Sequence, residues 1–117
     1  MRLLSIFLAL FILSSNSYAQ DTDVQSGKYF LPHCKAIIES NKDNPFQMGV
    51  CIGVVIALMR LGPSLTTNIS FCAPDSVTYA QAVKVIVSYL EAHPDTLHED
   101  FVLLAHVALA EAWPCSK

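Results

Sequence analysis

Phe46-Gln47-Met48-Gly49-Val50-Cys51-Ile52-Gly53-Val54-Val55-Ile56-Ala57-Leu58-Met59-Arg60-Leu61 is the stretch that sets the fold class. It is apolar on nearly every side, far longer than a buried strand, and closed by Gly62-Pro63, which cannot continue a helix. A helix that is apolar all round belongs in the middle of a bundle. The stretch therefore predicts an all-α domain with this helix at its centre.

Working outward, Asn41-Lys42-Asp43-Asn44-Pro45 is a turn signal. Before it, Tyr29, Phe30, Cys34, Ile37 and Ile38 recur at helical spacing and predict a first helix from about Ser26 to Ser40. Pro32 is awkward there, so either the helix starts later or its first turn is kinked. After Gly62-Pro63 the chain turns polar from Ser64 to Ser70, then reads Phe71-Cys72-Ala73-Pro74. Thr78 with Gln81 has capping-box spacing, although Ser76 is also a candidate cap, and a third helix follows through Val83, Ile86, Val87 and Leu90. His93-Pro94-Asp95 breaks it, with His93 placed to complement the helix dipole. Thr96 with Glu99 suggests a second capping box, leading into a fourth helix through Phe101, Leu104, Ala105, Ala108 and Leu109. No segment keeps the period-two alternation of a half-buried strand. The pattern is a small bundle of about four helices, two helical hairpins joined by a connector of ~15 residues, a length at which loops are commonly functional. Val54, Leu58, Val83, Val87, Leu104 and Ala108 should line the contact between the second helix and the other hairpin.

The cysteines agree with two hairpins. In an antiparallel hairpin, residues equidistant from the turn face each other. The midpoint of Cys34 and Cys51 is 42.5, inside the Asn41–Pro45 turn, and that of Cys72 and Cys115 is 93.5, at the His93-Pro94 break. Neither alternative pairing is centred on a turn, so the expected disulfides are Cys34–Cys51 and Cys72–Cys115. In the chain-entropy picture, loops of 17 and 43 residues contribute roughly 3 and 4 kcal/mol. Zinc would need closer cysteine pairs than these spacings provide.

Met1 to Ala19 carries one cation, the apolar run Leu3 to Leu13, and small residues at Ser17 and Ala19. That is the form of a secretory signal, too short to span a bilayer, with the mature domain expected from residue 20 to 117. Four cysteines in the exported part suit an oxidising compartment. The whole chain has a formal net charge of −3 with 7 Lys and Arg, scattered and without the basic stripe that nucleic-acid binding needs. No membrane span is expected in the mature protein.

Candidate chemistry is sparse. His98 and His106 stand eight apart where a helical metal pair prefers four, and no metal or other cofactor is expected. His106 reads instead as a partly buried histidine with a backbone partner. Ser64, Ser70 and Ser76 lack a nucleophile-elbow context, and the disulfides would consume every sulfur, so no enzyme activity is expected. Asp95, Glu99 and Asp100 gather at one helix start, where the helix dipole alone explains acids. Gly49 and Gly53 form a G-x-x-x-G step, expected to serve close packing inside the bundle. Asn68-Ile69-Ser70 is a glycosylation sequon, with meaning only in a eukaryotic secretory pathway.

Three strings resemble a known family: Phe71-Cys72-Ala73-Pro74, Tyr89-Leu90-Glu91-Ala92-His93-Pro94, and Ala108-Leu109-Ala110-Glu111-Ala112-Trp113-Pro114-Cys115. With Cys51-Ile52-Gly53-Val54, and in this order, they are similar to the Rap/Tai family of periplasmic immunity proteins, from about Gly27 to Cys115. That family usually carries Phe where Trp113 stands. The resemblance implies a compact, disulfide-stapled helical domain, often a homodimer, that binds an effector delivered into the periplasm by type VI secretion. The typical effector is a papain-like peptidoglycan amidase, whose active-site cleft is blocked. A second class fits the same composition: a small periplasmic helical chaperone or stress protein, which would need a wide apolar surface.

If the partner is an enzyme with a cleft, packed helix interiors cannot enter it, and loops on a stapled scaffold can. Two loops qualify. One is the connector Ser64–Ser70, with Asn68. The other is the corner His93–Glu99, with Asp95, His98 and Glu99.

Overall fold

The third helix, not the second, is the centre of this fold. The computed structural model describes residues 23–42, 44–66 and 68–116, so the expected secretory leader lies outside the described residues. Among them are four α-helices, α1 (Gly27–Ile38), α2 (Pro45–Leu61), α3 (Tyr79–Ala92) and α4 (Phe101–Ala112), with short 3-10 turns at Gly62–Ser64 and Pro94–Thr96. The two disulfides are Cys34–Cys51 and Cys72–Cys115, with Cα–Cα distances of 5.7 and 4.8 Å. The first is sealed in the core between α1 and α2. The second is at the surface and ties the chain before α3 to the chain after α4. The fold is an all-α, disulfide-stapled bundle.

Ser26 caps α1, its hydroxyl accepting from the Tyr29 N–H at 3.2 Å and donating to the Asp23 carbonyl at 2.8 Å. The helix therefore starts early and carries Pro32 inside it, on an exposed side. A later start, one of the two readings above, does not occur. The far end stops at Ile38 rather than Ser40. Ser40 has φ 57°, and the N–H groups of Ser40 and Asn41 donate to the carbonyls of Ile37 and Ala36. This is a Schellman closure with serine at the left-handed position where glycine is usual.

Asn44 caps α2, with Pro45 in the first turn, where a missing N–H costs nothing. Only Cys51 and Val55 of α2 are buried. Val54 and Leu58, expected at the centre, are only partly covered, whereas Val83, Val87, Leu104 and Ala108 are buried. A uniformly apolar helix does not declare which of its sides is inside. Here α2 is peripheral, pinned by Cys51. Nor do Gly49 and Gly53 serve internal packing, since a side chain at either would meet nothing within 4 Å.

Thr78 is the cap of α3. The capping box is complete, with Gln81 N–H to Thr78 Oγ1 at 3.2 Å and Thr78 N–H to Gln81 Oε1 at 2.8 Å. Ala82, Val83, Ile86, Val87 and Leu90 make a wide buried stripe, and α3 packs against α1, α2 and α4. The hairpins meet chiefly through α1 on α3, where Phe30 of α1 also stacks on Phe101 of α4 at 4.7 Å. An exposed ion pair, Lys35 to Glu91 at 2.7 Å, bridges α1 and α3 and raises the Lys35 pKa through that hydrogen bond.

The fourth helix begins later than expected. Thr96 does not cap it. Its hydroxyl donates to the His93 carbonyl at 3.1 Å, and Asp100 is the cap, accepting from the Leu103 N–H at 3.1 Å. Pro94 had already set a 3-10 turn, which consumes the residues that matched the box.

Candidate binding surface

The corner between α3 and α4 is held by groups distant in sequence. Gly27 N–H donates to the Glu99 carbonyl at 2.9 Å, Lys28 N–H to Leu97 at 2.7 Å, and Phe101 N–H to Gln25 at 2.7 Å. Gly27 is needed for this approach: a Cβ there would lie 2.5 Å from Leu104 Cδ1 and 3.3 Å from the Leu97 carbonyl oxygen. The first turn of α1 thus presents its unused N–H groups to the corner, satisfying both partners. His93 closes α3, its Nδ1 lying 2.7 Å from the Tyr89 carbonyl oxygen and its ring stacked on Tyr89 at 4.0 Å. The corner is a loop in shape but is braced on both sides.

Asp95 and Glu99 are exposed at the corner, and both act on Tyr89. Burial is the main cause that raises the Tyr89 pKa above the ordinary value of 10.0, and Glu111, Glu99 and Asp95 add to it in that order. The charges of Asp95 and Glu99 at the corner, and of Glu111 from the far end of α4, thus act on Tyr89 in the same direction. Sequence reading did not single out Glu111, because its influence on Tyr89 depends on how α3 lies on α4. Asp100 is occupied as the helix cap. His98 is exposed on the same corner.

Asn68 stands elsewhere. It is exposed in a turn of the connector, followed by Phe71, which is fully buried and backbone-bridged to Pro114 just beyond α4. The corner is bridged at the other end of α4, Ser26 to Asp100. Twelve helical residues separate the two bridges, a rise of ~18 Å. The four expected contact residues therefore divide between opposite ends of α4, three at the corner and one at the connector.

The connector is also anchored. The Cys72 N–H donates to the Trp113 carbonyl at 2.8 Å, and the Phe71 ring meets His106 edge-on at 5.7 Å. His106 lacks the backbone partner expected for it: its Nε2 is buried with no hydrogen bond. The aromatic contact holds the imidazole in its place instead.

Open grooves also mark the surface of the described residues, two of them apart from the corner. One, of about 310 Å³, is lined by Val24, Phe30, Val50, Val54, Phe101 and Val102 among others. The other, of about 490 Å³, lies between the end of α2 and the start of α3, with Arg60, Asp75 and Tyr79 in its wall. Among the described residues no cysteine is free and no group of three His, Cys, Asp or Glu side chains could hold a metal ion. What the corner offers is acceptor oxygens, an aromatic pair and rigidity, which suits recognition of a basic or hydrogen-bond-donating surface.

Comparison with known proteins agrees with a binding role. No curated protein and no solved structure matches the chain. A family model does, that of the Rap1a immunity proteins, over residues 26–115, from the cap of α1 to the last cysteine. Members of such a family neutralise effectors and are typically periplasmic, and the two disulfides fit that oxidising compartment. The match spans all four helices and both staples, and on it this chain belongs to the Rap1a immunity protein family.

Proposed function

We propose that this immunity protein is exported to the periplasm by the leader at residues 1–19 and there binds and occludes a type VI secretion effector of the papain-like peptidoglycan amidase kind. The braced corner, with Asp95, His98 and Glu99, is the part that enters the effector's cleft, and Asn68 on the connector is a secondary contact. The observation that carries this reading is the combination at one place of exposed acids and a backbone tied to α1 by hydrogen bonds of 2.7 to 2.9 Å. A rigid loop loses little entropy on docking, which favours tight binding. Acids at its tip match a basic rim or a protonated catalytic histidine. The chain acts by binding, with no catalytic step of its own.

The test is direct. An amidase encoded beside this gene should lose peptidoglycan hydrolysis when mixed with one equivalent of the exported chain. Full activity in the presence of excess chain would reject the amidase as its partner. One observation favours a second reading, a small periplasmic chaperone: the outer side of α2 is apolar and uncovered, with Phe46 74% exposed. A chaperone would suppress aggregation of a denatured client, and the corner substitutions would not alter that suppression. Self-association, the other partnership that the family resemblance implies, belongs to that same side of α2.

A further inference from the structure

The two disulfides differ in what can reach them. Cys34 and Cys51 sit inside α1 and α2 and are both 0% exposed. A thiolate exchanges with a disulfide only by touching one of its sulfurs, so this pair is closed to attack while the two helices stay packed. Cys72 and Cys115 lie outside the helices, one before α3 and the other beyond the end of α4. Cys72 is exposed and Cys115 half-buried. Among disulfides of exported proteins, exposed ones are the labile class.

The fold also prepares this outer pair to open and shut in place. Phe71 is fully buried and backbone-bridged to Pro114, and the Cys72 N–H donates to the Trp113 carbonyl at 2.8 Å. None of these ties passes through sulfur. They hold the two Cα atoms near the 4.8 Å found here, a separation that a disulfide spans, whether or not the bond exists. The chain has four cysteines, so with Cys34–Cys51 shut the two liberated thiols can pair only with each other. Reclosure is therefore unambiguous.

We propose that Cys72–Cys115 is a reversible thiol–disulfide exchange site for a dithiol reductant, opened through Cys72 while Cys34–Cys51 stays closed. A thiolate of the dithiol attacks Cys72 Sγ, the more accessible sulfur, and forms a mixed disulfide. The Cys72–Cys115 bond breaks, and its electron pair leaves on Cys115 Sγ. The second thiolate of the dithiol then attacks the dithiol's own sulfur in the mixed disulfide and expels Cys72 as a thiolate. The two protons lost by the dithiol end on Cys72 and Cys115. Two electrons have moved: the protein disulfide is reduced to two thiols and the dithiol is oxidised to its disulfide.

What opening changes is local. Just after Cys72, the residues Ala73, Pro74, Asp75 and Val77 form one wall of the groove of about 490 Å³ beside the end of α2. That wall is fixed at its far end by the Thr78 capping box, and within itself by the Val77 N–H donating to the Pro74 carbonyl at 3.0 Å. Exchange frees its near end, so the shape of the groove follows the redox state of the pair. The corner lies at the other end of α4, a rise of ~18 Å away. It is braced by Gly27 and Lys28 and does not change. The inference is independent of which effector is bound.

The experiment treats the exported chain with dithiothreitol in native buffer, quenches with iodoacetamide at intervals and maps the labelled cysteines by mass spectrometry. A two-thiol species labelled at Cys72 and Cys115 should accumulate, at a rate proportional to the dithiothreitol concentration. Label on Cys34 and Cys51 should await denaturant, because their opening requires unfolding. In the two-thiol form, amide exchange should quicken at Cys72 and Ala73 and stay unchanged at Gly27, Lys28 and Phe101. Replacing the reductant with oxidised glutathione should restore the starting disulfide map. With reduced glutathione, a monothiol, acid quenching should trap the mixed disulfide on Cys72. Cys72→Ser with Cys115→Ser fixes the open form and should show the same exchange pattern without reductant. Four thiols appearing together, Cys34–Cys51 opening first, glutathione on Cys115, or no thiol until denaturant is added would overturn the proposal.

Discussion

The Phe71 ring fills the space that a side chain at Gly62 would need: a Cβ there would lie 2.5 Å from Cε1 and Cζ of Phe71. Gly62 has φ −46°, an ordinary helical value, so glycine stands there for room and not for conformational freedom. Phe71 is fully buried and cannot swing away. Gly62→Ala should thus destabilise the fold by about 1–3 kcal/mol, the usual cost of overpacking, despite alanine's better helix propensity. Urea unfolding of the two proteins measures it.

Ser40 makes the opposite prediction. Its φ of 57° is a conformation that costs a side-chain-bearing residue roughly 1 kcal/mol. Ser40→Gly keeps the Schellman hydrogen bonds and should raise stability by about 0.5–1 kcal/mol, seen as a higher unfolding midpoint at unchanged slope.

The acids around Tyr89 can be read without any effector. A tyrosine pKa raised in the folded state means that the folded chain holds the proton more tightly than the unfolded chain. The associated stability is complete below the ordinary value of 10.0 and is lost as pH rises from there through the raised value. Phenolate absorbance during alkaline titration should show a late-ionising component that is lost in Tyr89→Phe. Glu111→Gln should bring that ionisation earlier, since Glu111 is the largest charged contributor. Burial should keep it above the ordinary value.

The staples differ in burial, and so should the effects of removing them. Replacing Cys72 and Cys115 with serine should cost ~2–5 kcal/mol, the usual loss for a small exported domain. It should also free the connector, visible as faster amide exchange at Ile69 to Cys72. Serines in place of Cys34 and Cys51 should cost more, because both positions are 0% exposed and would leave two hydroxyls in the core. Peptide mapping without reduction checks the pairing itself.

Local rules were legible in the sequence and long-range ones were not. The Thr78–Gln81 box needs four residues and nothing else, and it forms as read. The midpoint symmetry of the cysteines works because hairpin geometry is also local. Thr96 and Glu99 have the same box spacing, but the corner's carbonyls are claimed by Gly27 and Lys28, residues seventy positions away. The helix cap therefore moves to Asp100. The charge of Glu111 acts on Tyr89 only through the packing of α3 on α4. The placement of α2 failed for a different reason. An apolar residue signals burial against something, and the pattern does not say whether that is the chain's own core or a surface of another molecule.

The central claim is that the braced corner meets the effector. The measurement is inhibition of the cognate amidase by wild type and by Asp95→Lys with Glu99→Lys, with thermal unfolding as the control. Both side chains are exposed and neither caps α4, so the double variant should unfold within a few degrees of wild type. Its inhibition should weaken markedly, chiefly through slower association that added salt makes less distinct. Equal inhibition by the two proteins, at equal fold stability, would contradict the account and move the contact to Asn68 and the connector.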